Sequence, residues 1–333
     1  MIPLFISGQS PLFESLVSRA ASRIHQAFRP KTTAAHLAHF TLFLQFSIFI
    51  QAPFPPVCPS PLLAFLGFLL LNGLSPPTIS GYVHSIRSKF KTLGLPFEPL
   101  YHHSVSLALR SLHLNVPQLK RTKGIFDIAN LSAIVSISLQ TPLGFIYAPL
   151  FLLAFFAFLR LSNLVPTSSA NFSPLVHLCR GDIIFHPTYA TVIIKWSKTL
   201  QIQFKFATIQ IPVLGSSLLC PVQALKFMCA KFPLPSHAPL FSVPQGTSHI
   251  ALTQSKVRKF LKNVLIHLNI DPVSHPFHTF RRSDASLAFN NDVSLQSIQQ
   301  QGTWTSGVVW DYVVASPDRQ GSVVQAFRQL LHK

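Results

Sequence analysis

Apolar residues at Leu12, Leu16, Ala20, Ile24 and Ala27 recur at three- and four-residue steps, which predicts a helix over about 12–28 with one buried face. A second helix is predicted to start at Thr33, whose hydroxyl can accept a backbone N–H bond ahead of Leu37, Phe40 and Leu44. Pro53, Pro55, Pro56 and Pro59 end that pattern, because proline supplies no N–H to a helix interior. A third helix is predicted from Pro61 to Asn72, with Gly73 suited to a left-handed stop. Ser75, Pro76 and Pro77 open a fourth, which sets Ile79, Tyr82, Val83 and Ile86 on one face and Arg87, Lys89 and Lys91 along the other. A fifth covers about Ser104 to Leu114, so residues 1–117 read as an all-α domain.

The segment PQLKRTKGI that follows combines Pro, Gly and the basic residues Lys120, Arg121 and Lys123, and it marks a linker over 118–124 before a second domain at 125–333. That domain opens with helices over Ile128–Leu139 and Gly144–Leu159. Between Asp182 and Pro212 the chain changes to β-branched and aromatic residues with period two, which predicts a small antiparallel sheet. Lys195, Trp196, Ser197, Lys198 and Thr199 fall at or near a turn of that sheet. Helices resume at about 221–232, 254–268, 280–290, 295–301 and 322–331. On the helix over 254–268, Lys256, Arg258, Lys259 and Lys262 point away from the apolar side formed by Val257, Phe260, Leu261 and Leu265. The fold class is mainly α with a small antiparallel β-sheet, an all-α domain preceding an α+β domain.

Composition raises a membrane question, because 48% of residues are hydrophobic, 11% are charged and 30 are Phe. The run Pro142–Leu159 carries no charge and reaches the lower end of the ~17–25 residues that span a bilayer. Pro149 interrupts it, no second run equals it, and Arg160 follows inside a continuing apolar pattern, so a buried core helix is expected and no membrane partner. The first residues lack the basic start, long apolar middle and cleavage site of a secretory signal, which predicts an intracellular protein. Cys58, Cys179, Cys220 and Cys229 form no CxxC pair and are expected to be free core thiols.

Lys and Arg total 27 against 9 acidic residues, a formal charge of +18, which favours a polyanionic partner and nucleic acid first. An anionic membrane surface or a generally basic protein is the plainer reading. Lys120, Arg121 and Lys123 can strap a DNA backbone or be a solvated linker; Arg87, Lys89, Lys91, Lys195, Lys256, Arg258, Lys259 and Lys262 can face DNA or be ordinary solvated positions.

Near the C-terminus lie HPFHTFRRSDASLAF and QGTWTSGVVWDYV. His278 and Arg281, three apart at the start of a helix, share a face on which an imidazole and a guanidinium can meet one anion. Alone the pair is a weak signal, since this chain has 15 His among its many basic residues. Order strengthens it: Arg160 ends a buried helix, Lys198 sits at a hairpin turn, His278 and Arg281 follow, then Trp304 and Tyr312. That succession resembles the tyrosine recombinase, or phage integrase, superfamily. The wording of Phe158–Pro166 (FLRLSNLVP) and of Gly302–Ser306 (GTWTS) followed by Tyr312 is similar to the Crypton and DIRS-like recombinases of eukaryotic mobile elements, in which Trp stands for a histidine. Gly73–Tyr82 resembles the family's core-binding, SAM-like domain. One position departs: many members carry an acid three residues after the first arginine, where this chain has Asn163.

The resemblance implies site-specific recombination of double-stranded DNA by two domains closing as a clamp, a homo-tetramer on paired sites, and a nuclear location in a eukaryotic host. It assigns Arg160 and Arg281 to hold the phosphate, Lys198 to protonate the leaving 5′ oxygen with Lys195 as its rival, His278 and Trp304 to assist, and Tyr312 to attack. The chemistry is coherent on its own terms. A phosphodiester under attack gains charge on its oxygens, so fixed cations are needed, and guanidinium is planar and permanently charged. A phenol titrates near ~10 in water, so a tyrosine nucleophile needs cations beside it. A covalent 3′-phosphotyrosyl link would keep the bond energy, which requires neither metal nor ATP, and no cofactor is expected. Plainer roles stand beside these: Arg160 as a helix cap, Trp304 and Tyr312 as core aromatics, Lys198 as a solvated lysine. Two other functions use similar residues, relaxation of supercoils as in a type IB topoisomerase and DNA binding by a domesticated, non-catalytic relative.

Overall fold

The computed structural model describes Ser15 and residues 30–116, 123–196, 206–246, 248–304 and 307–316. The predicted helices over 12–28 (Ser15 apart) and 322–331 lie outside them, as do Lys120, Arg121 and the turn containing Lys198. The chain divides into two compact units, residues 1–120 and 121–333.

The first unit is all helical among its described residues: α1 (Pro30–Phe49), α2 (Ser60–Leu71), α3 (Pro76–Leu93) and α4 (His103–Asn115), with a 3-10 turn at Glu98–Tyr101. Its centre is aromatic. Phe43, Phe65 and Phe90 are fully buried, with Phe43 and Phe65 edge to face at 5.2 Å, a preferred arrangement of ring quadrupoles. Ile79, Val83, Ile86 and Phe90 of α3 complete the core, as the i, i+3, i+4 spacing requires. Thr33 does not cap α1. The helix already includes Pro30, whose fixed φ suits a first turn, and Thr33 lies inside it. Gly94, at φ +65, closes α3 by letting Gly94 N–H reach the Lys91 carbonyl and Leu95 N–H the Phe90 carbonyl.

The second unit is built around α6 (Gly144–Phe156), of which every residue from Ile146 to Phe155 is buried. This accounts for the long apolar run without a bilayer, and no described helix is long and apolar enough to cross a membrane. α5 (Ile128–Leu139) packs along it, started by a capping box between Asp127 and Asn130. α7 (Leu161–Leu164) follows, then a three-stranded antiparallel meander, β1 (Ile183–Phe185), β2 (Tyr189–Ile194) and β3 (Ala207–Pro212). Val192 pairs with Ile183 on one side and Ile209 on the other, and it is buried with Ala190, Ile194 and Ile211 on the core face. α8 (Pro221–Lys231), α9 (Gln254–His267), α10 (Thr279–Asn290) and α11 (Leu295–Gln301) supply the remaining helices. A two-stranded hairpin, β4 (Ser242–Gln245) with β5 (Ser248–Ala251), stands between α8 and α9. Residues 242–251 lack the apolar alternation that would announce it.

Two further expectations differ from the structure. Arg160 does not end the buried helix: α6 stops at Phe156, Phe158 turns left-handed at φ +49, and Arg160 is extended and caps the start of α7. The stop is made by Phe158 N–H bonding to the Phe155 carbonyl and Leu159 N–H to the Ala154 carbonyl. The cysteines are free, yet only Cys179 and Cys220 are core thiols; Cys58 is exposed and Cys229 half-buried.

Candidate active site

α10 carries the central group. Its first turn buries Arg281, which is 2% exposed, beneath the bend that follows α6. The guanidinium donates through Nη1 to the Phe158 carbonyl and through Nη2 to the Gly302 carbonyl. Those two bonds tie the segment leading to Arg160 and the segment leading to Trp304 onto one cation. Arginine has five N–H donors in a planar fork, so donors remain after both carbonyls are satisfied. Nε is one of them, buried and without an acceptor.

Trp304 stacks over that guanidinium at 4.1 Å from its ring centroid, a favourable cation–π distance. It is nearly buried, and its Nε1 also lacks an acceptor. Gly302 permits the stacking, since a Cβ there would fall 2.0 Å from the indole Cζ3. Tyr312 follows a 3-10 turn at Gly307–Asp311 that directs its ring to the same place. The phenol ring lies 4.9 Å from Trp304, 5.1 Å from His278 and 5.5 Å from the Arg281 guanidinium carbon. Four of the six residues anticipated for the site thus converge around one point. Buried donors without an acceptor are uncommon in folded proteins. Among the described residues they occur at Arg281, Trp304 and Arg180, and the first two face each other here.

The electrostatics are those of a crowded cationic site. Burial holds the Arg281 guanidinium below its ordinary value and Arg160 adds repulsion, while Tyr312 opposes the shift; a guanidinium stays charged regardless at neutral pH. His278 retains solvent access, yet dehydration of its ring and then the charges of Arg281, Arg160, Arg282 and Lys123 push it down to about 4. Arg160 is therefore the fifth expected residue close enough to act on this site. Arg282 is the residue the sequence left unassigned: it is 9% exposed, burial lowers it, and Tyr312 holds it up. The doublet Arg281-Arg282 was the visible signal for it. Lys123 is placed nearby because Gly124 N–H bonds the Ser274 carbonyl and Phe126 N–H bonds the Ser283 hydroxyl of α10.

Lys198 lies outside the described residues. Its rival Lys195 has its ammonium 2.5 Å from Asp182 and 3.5 Å from the Cys179 sulfur. Asn163 turns out to be a connector. Its Oδ1 accepts the Arg160 N–H at 3.2 Å and its Nδ2 donates to the Trp196 carbonyl at 2.7 Å, joining the Arg160 backbone to the end of β2. Because both partners are backbone groups, the amide orientation is fixed. A carboxylate at this position cannot donate to Trp196, so Asn163→Asp will destabilise the protein by about 1–3 kcal/mol, read as a lowered melting temperature. A variant as stable as the parent would show the amide donor to be dispensable.

The other basic residues divide. Lys256, Arg258, Lys259 and Lys262 are exposed along α9. In the first unit Lys89 is half-buried and Lys91 exposed, the latter over the Tyr101 ring at 4.8 Å. Arg87 is not free to face solvent, since Nε and Nη2 both donate to the Leu100 carbonyl and its guanidinium stacks on Tyr101 at 4.4 Å. Among the described residues no group of three His, Cys, Asp or Glu side chains is placed to hold a metal.

No protein-family profile and no curated protein matches the sequence. The backbone does match solved structures. The Tn1549 transposon integrase in complex with transposon right end DNA aligns over 92% of this chain and 98% of its own, at 13% identity and a TM-score of 0.65. The XerH site-specific recombinase bound to palindromic difH substrate aligns over 90% and 79%, at 15% identity and TM-score 0.58. A lambda integrase dimer bound to a COC′ core site aligns over 92% and 81%, at 13% identity and TM-score 0.51. The fold of this chain is that of these integrases and recombinases.

Proposed function

We propose that this protein breaks and rejoins double-stranded DNA, with Tyr312 as the nucleophile of a site-specific recombinase. One observation carries the reading. A phenol stands beside two buried N–H donors that have no acceptor, Arg281 Nε and Trp304 Nε1, and a phosphate is the anion whose oxygens would satisfy both while presenting phosphorus to the phenol. The shared fold with DNA-bound integrases supports it, as does the likeness of residues 158–166 and 302–312 to recombinases of eukaryotic mobile elements.

In this account the Tyr312 oxygen attacks phosphorus, the bond to the 5′ oxygen breaks, and a 3′-phosphotyrosyl bond forms. Arg160, Arg281 and Arg282 hold the charge that accumulates on the non-bridging oxygens, and the Trp304 N–H adds one hydrogen bond. His278, neutral at physiological pH, takes the phenol proton. Lys198 is the donor to the leaving oxygen by resemblance. Attack by the freed 5′ hydroxyl of a partner strand reverses the step. Recombination between two sites calls for several copies of the chain, and a homo-tetramer is the assembly we infer.

The test uses a library of nicked suicide duplexes with randomised cores, incubated with the protein in EDTA. A covalent protein–DNA adduct is expected; cleaved DNA with no attached protein would contradict the proposal. The pH dependence follows from His278. Its folded pKa lies below the ordinary 6.5, so the imidazole keeps its neutral, proton-accepting form until the pH falls toward about 4. The pH–rate profile of adduct formation is therefore expected to bend below 6.5 as the imidazole protonates, and a profile and rate left unchanged by His278→Gln would exclude His278 as the base.

A further inference from the structure

The segment that carries Tyr312 is held by two side chains of α10 for which the chemistry above has no use. Ser286 is 1% exposed. Its hydroxyl accepts the Val314 N–H at 3.0 Å, and its proton is within reach of the Tyr312 carbonyl at 3.2 Å as well as the Arg282 carbonyl of its own helix at 2.8 Å. Asn290 lies four residues on, one turn along the same face. Its Nδ2 donates to the Val314 carbonyl at 3.2 Å and its Oδ1 accepts the Ser316 N–H at 2.9 Å. A carbonyl and an N–H two residues apart are the pair that a neighbouring parallel β-strand engages, and here one side-chain amide takes the place of that strand. Both Asn290 partners are backbone, so the amide has one possible orientation.

We propose that Ser286 and Asn290 are positioning residues that clip residues 312–316 to α10, so that each chain presents its own Tyr312 to its own Arg281 and His278. This rests on the reading of Tyr312 as nucleophile. Arg281, Ser286 and Asn290 all stand on one helix, so the distance from the guanidinium to the clipped backbone is set by helical geometry. The 3-10 turn before Tyr312 has two exposed apolar side chains, Val308 and Trp310, so burial there is incomplete and polar bonds share the task of holding the segment. Serine in a helix commonly bonds back to its own i−4 carbonyl, as Ser286 also can. That habit does not explain the Val314 bond, nor the two bonds of Asn290.

The experiment compares the full chain with Ser286→Ala, Asn290→Ala, the double variant and Asn290→Asp, which keeps the acceptor for Ser316 N–H and loses the donor to Val314. Hydrogen exchange, with no DNA present, reads the clip directly: the Val314 and Ser316 amides are protected in the parent and exchange faster in the double variant. Single-turnover adduct formation at saturating DNA reads its consequence. Since misplacing a reacting group by about 1 Å can cost ~10²-fold, the double variant is expected to react on the order of 10²-fold slower with DNA affinity unchanged, and Asn290→Asp to fall between it and the parent. Unchanged exchange in the double variant overturns the clip. Faster exchange with an unchanged rate overturns its role in positioning. A mixture of Tyr312→Phe chains with Arg160→Ala chains is expected to form no adduct, and recovery of adduct in that mixture overturns the claim that each chain uses its own tyrosine. A parent chain that exchanges as described yet attaches to DNA at another residue would instead refute the nucleophile, leaving the clip intact.

Discussion

Arg281→Ala is expected to lose both stability and DNA cleavage, and Arg281→Lys to retain more of the first than of the second. The guanidinium is 2% exposed and satisfies the carbonyls of Phe158 and Gly302 at once. Alanine leaves both without that donor, at about 1–3 kcal/mol for each buried group stranded, and removes the cation on which Trp304 stacks. A fall in melting temperature of several degrees follows, and Trp304 fluorescence should change with it. Lysine keeps a charge, but a point ammonium cannot bridge two carbonyls and also present a planar donor to phosphate. Loss of one preorganised donor at a site of developing charge costs about 10²–10³-fold in rate, and a drop of that order in adduct formation is expected for the lysine variant. Cleavage by Arg281→Lys at the parent rate would show that the guanidinium is a structural tie and no more.

Much of the fold was legible because burial here is written in long, uninterrupted patterns. Ile128–Leu139 is a helix with those bounds, and Gly73 stops α2 in a left-handed conformation at φ +74 as its position suggested. The errors fell where a local signal competed with a tertiary one. Thr33 is a good cap, yet α1 already includes Pro30. The apolar pattern runs through Leu159, yet α6 is cut at Phe156 because Phe158 turns so that its carbonyl meets Arg281, a contact 123 residues away in sequence. The short hairpin of β4 and β5 has Pro244 and mostly polar residues, which carry no period-two signal.

The site divides along the same line. His278 and Arg281 were visible as a pair because helical spacing brings them to one face, and Trp304 and Tyr312 through the resemblance. What could not be read was the second layer. Lys195 pairs with Asp182, Asn163 with the Trp196 carbonyl, and Ser286 and Asn290 with backbone 24 to 28 residues away. Serine, asparagine and aspartate are common types whose partners here are fixed by the fold and by no local motif. Arg87 illustrates the converse: a basic residue on a polar helix face that the structure engages with a carbonyl and an aromatic ring.

The second large effect is expected at Tyr312. Tyr312→Phe keeps the ring and its packing near Trp304 and His278, and removes the oxygen that would join phosphorus. Covalent capture of DNA should vanish while DNA affinity persists. Replacing the neighbouring Trp310, whose ring packs on Phe289 at 5.9 Å and is 58% exposed, should reduce capture far less. The most direct measurement is to digest the trapped protein–DNA adduct and identify by mass spectrometry the residue that bears the nucleotide. The account predicts a phosphodiester-linked nucleotide on Tyr312 in the parent chain and no adduct in Tyr312→Phe. Attachment at any other side chain, or an undiminished adduct in the phenylalanine variant, would contradict it.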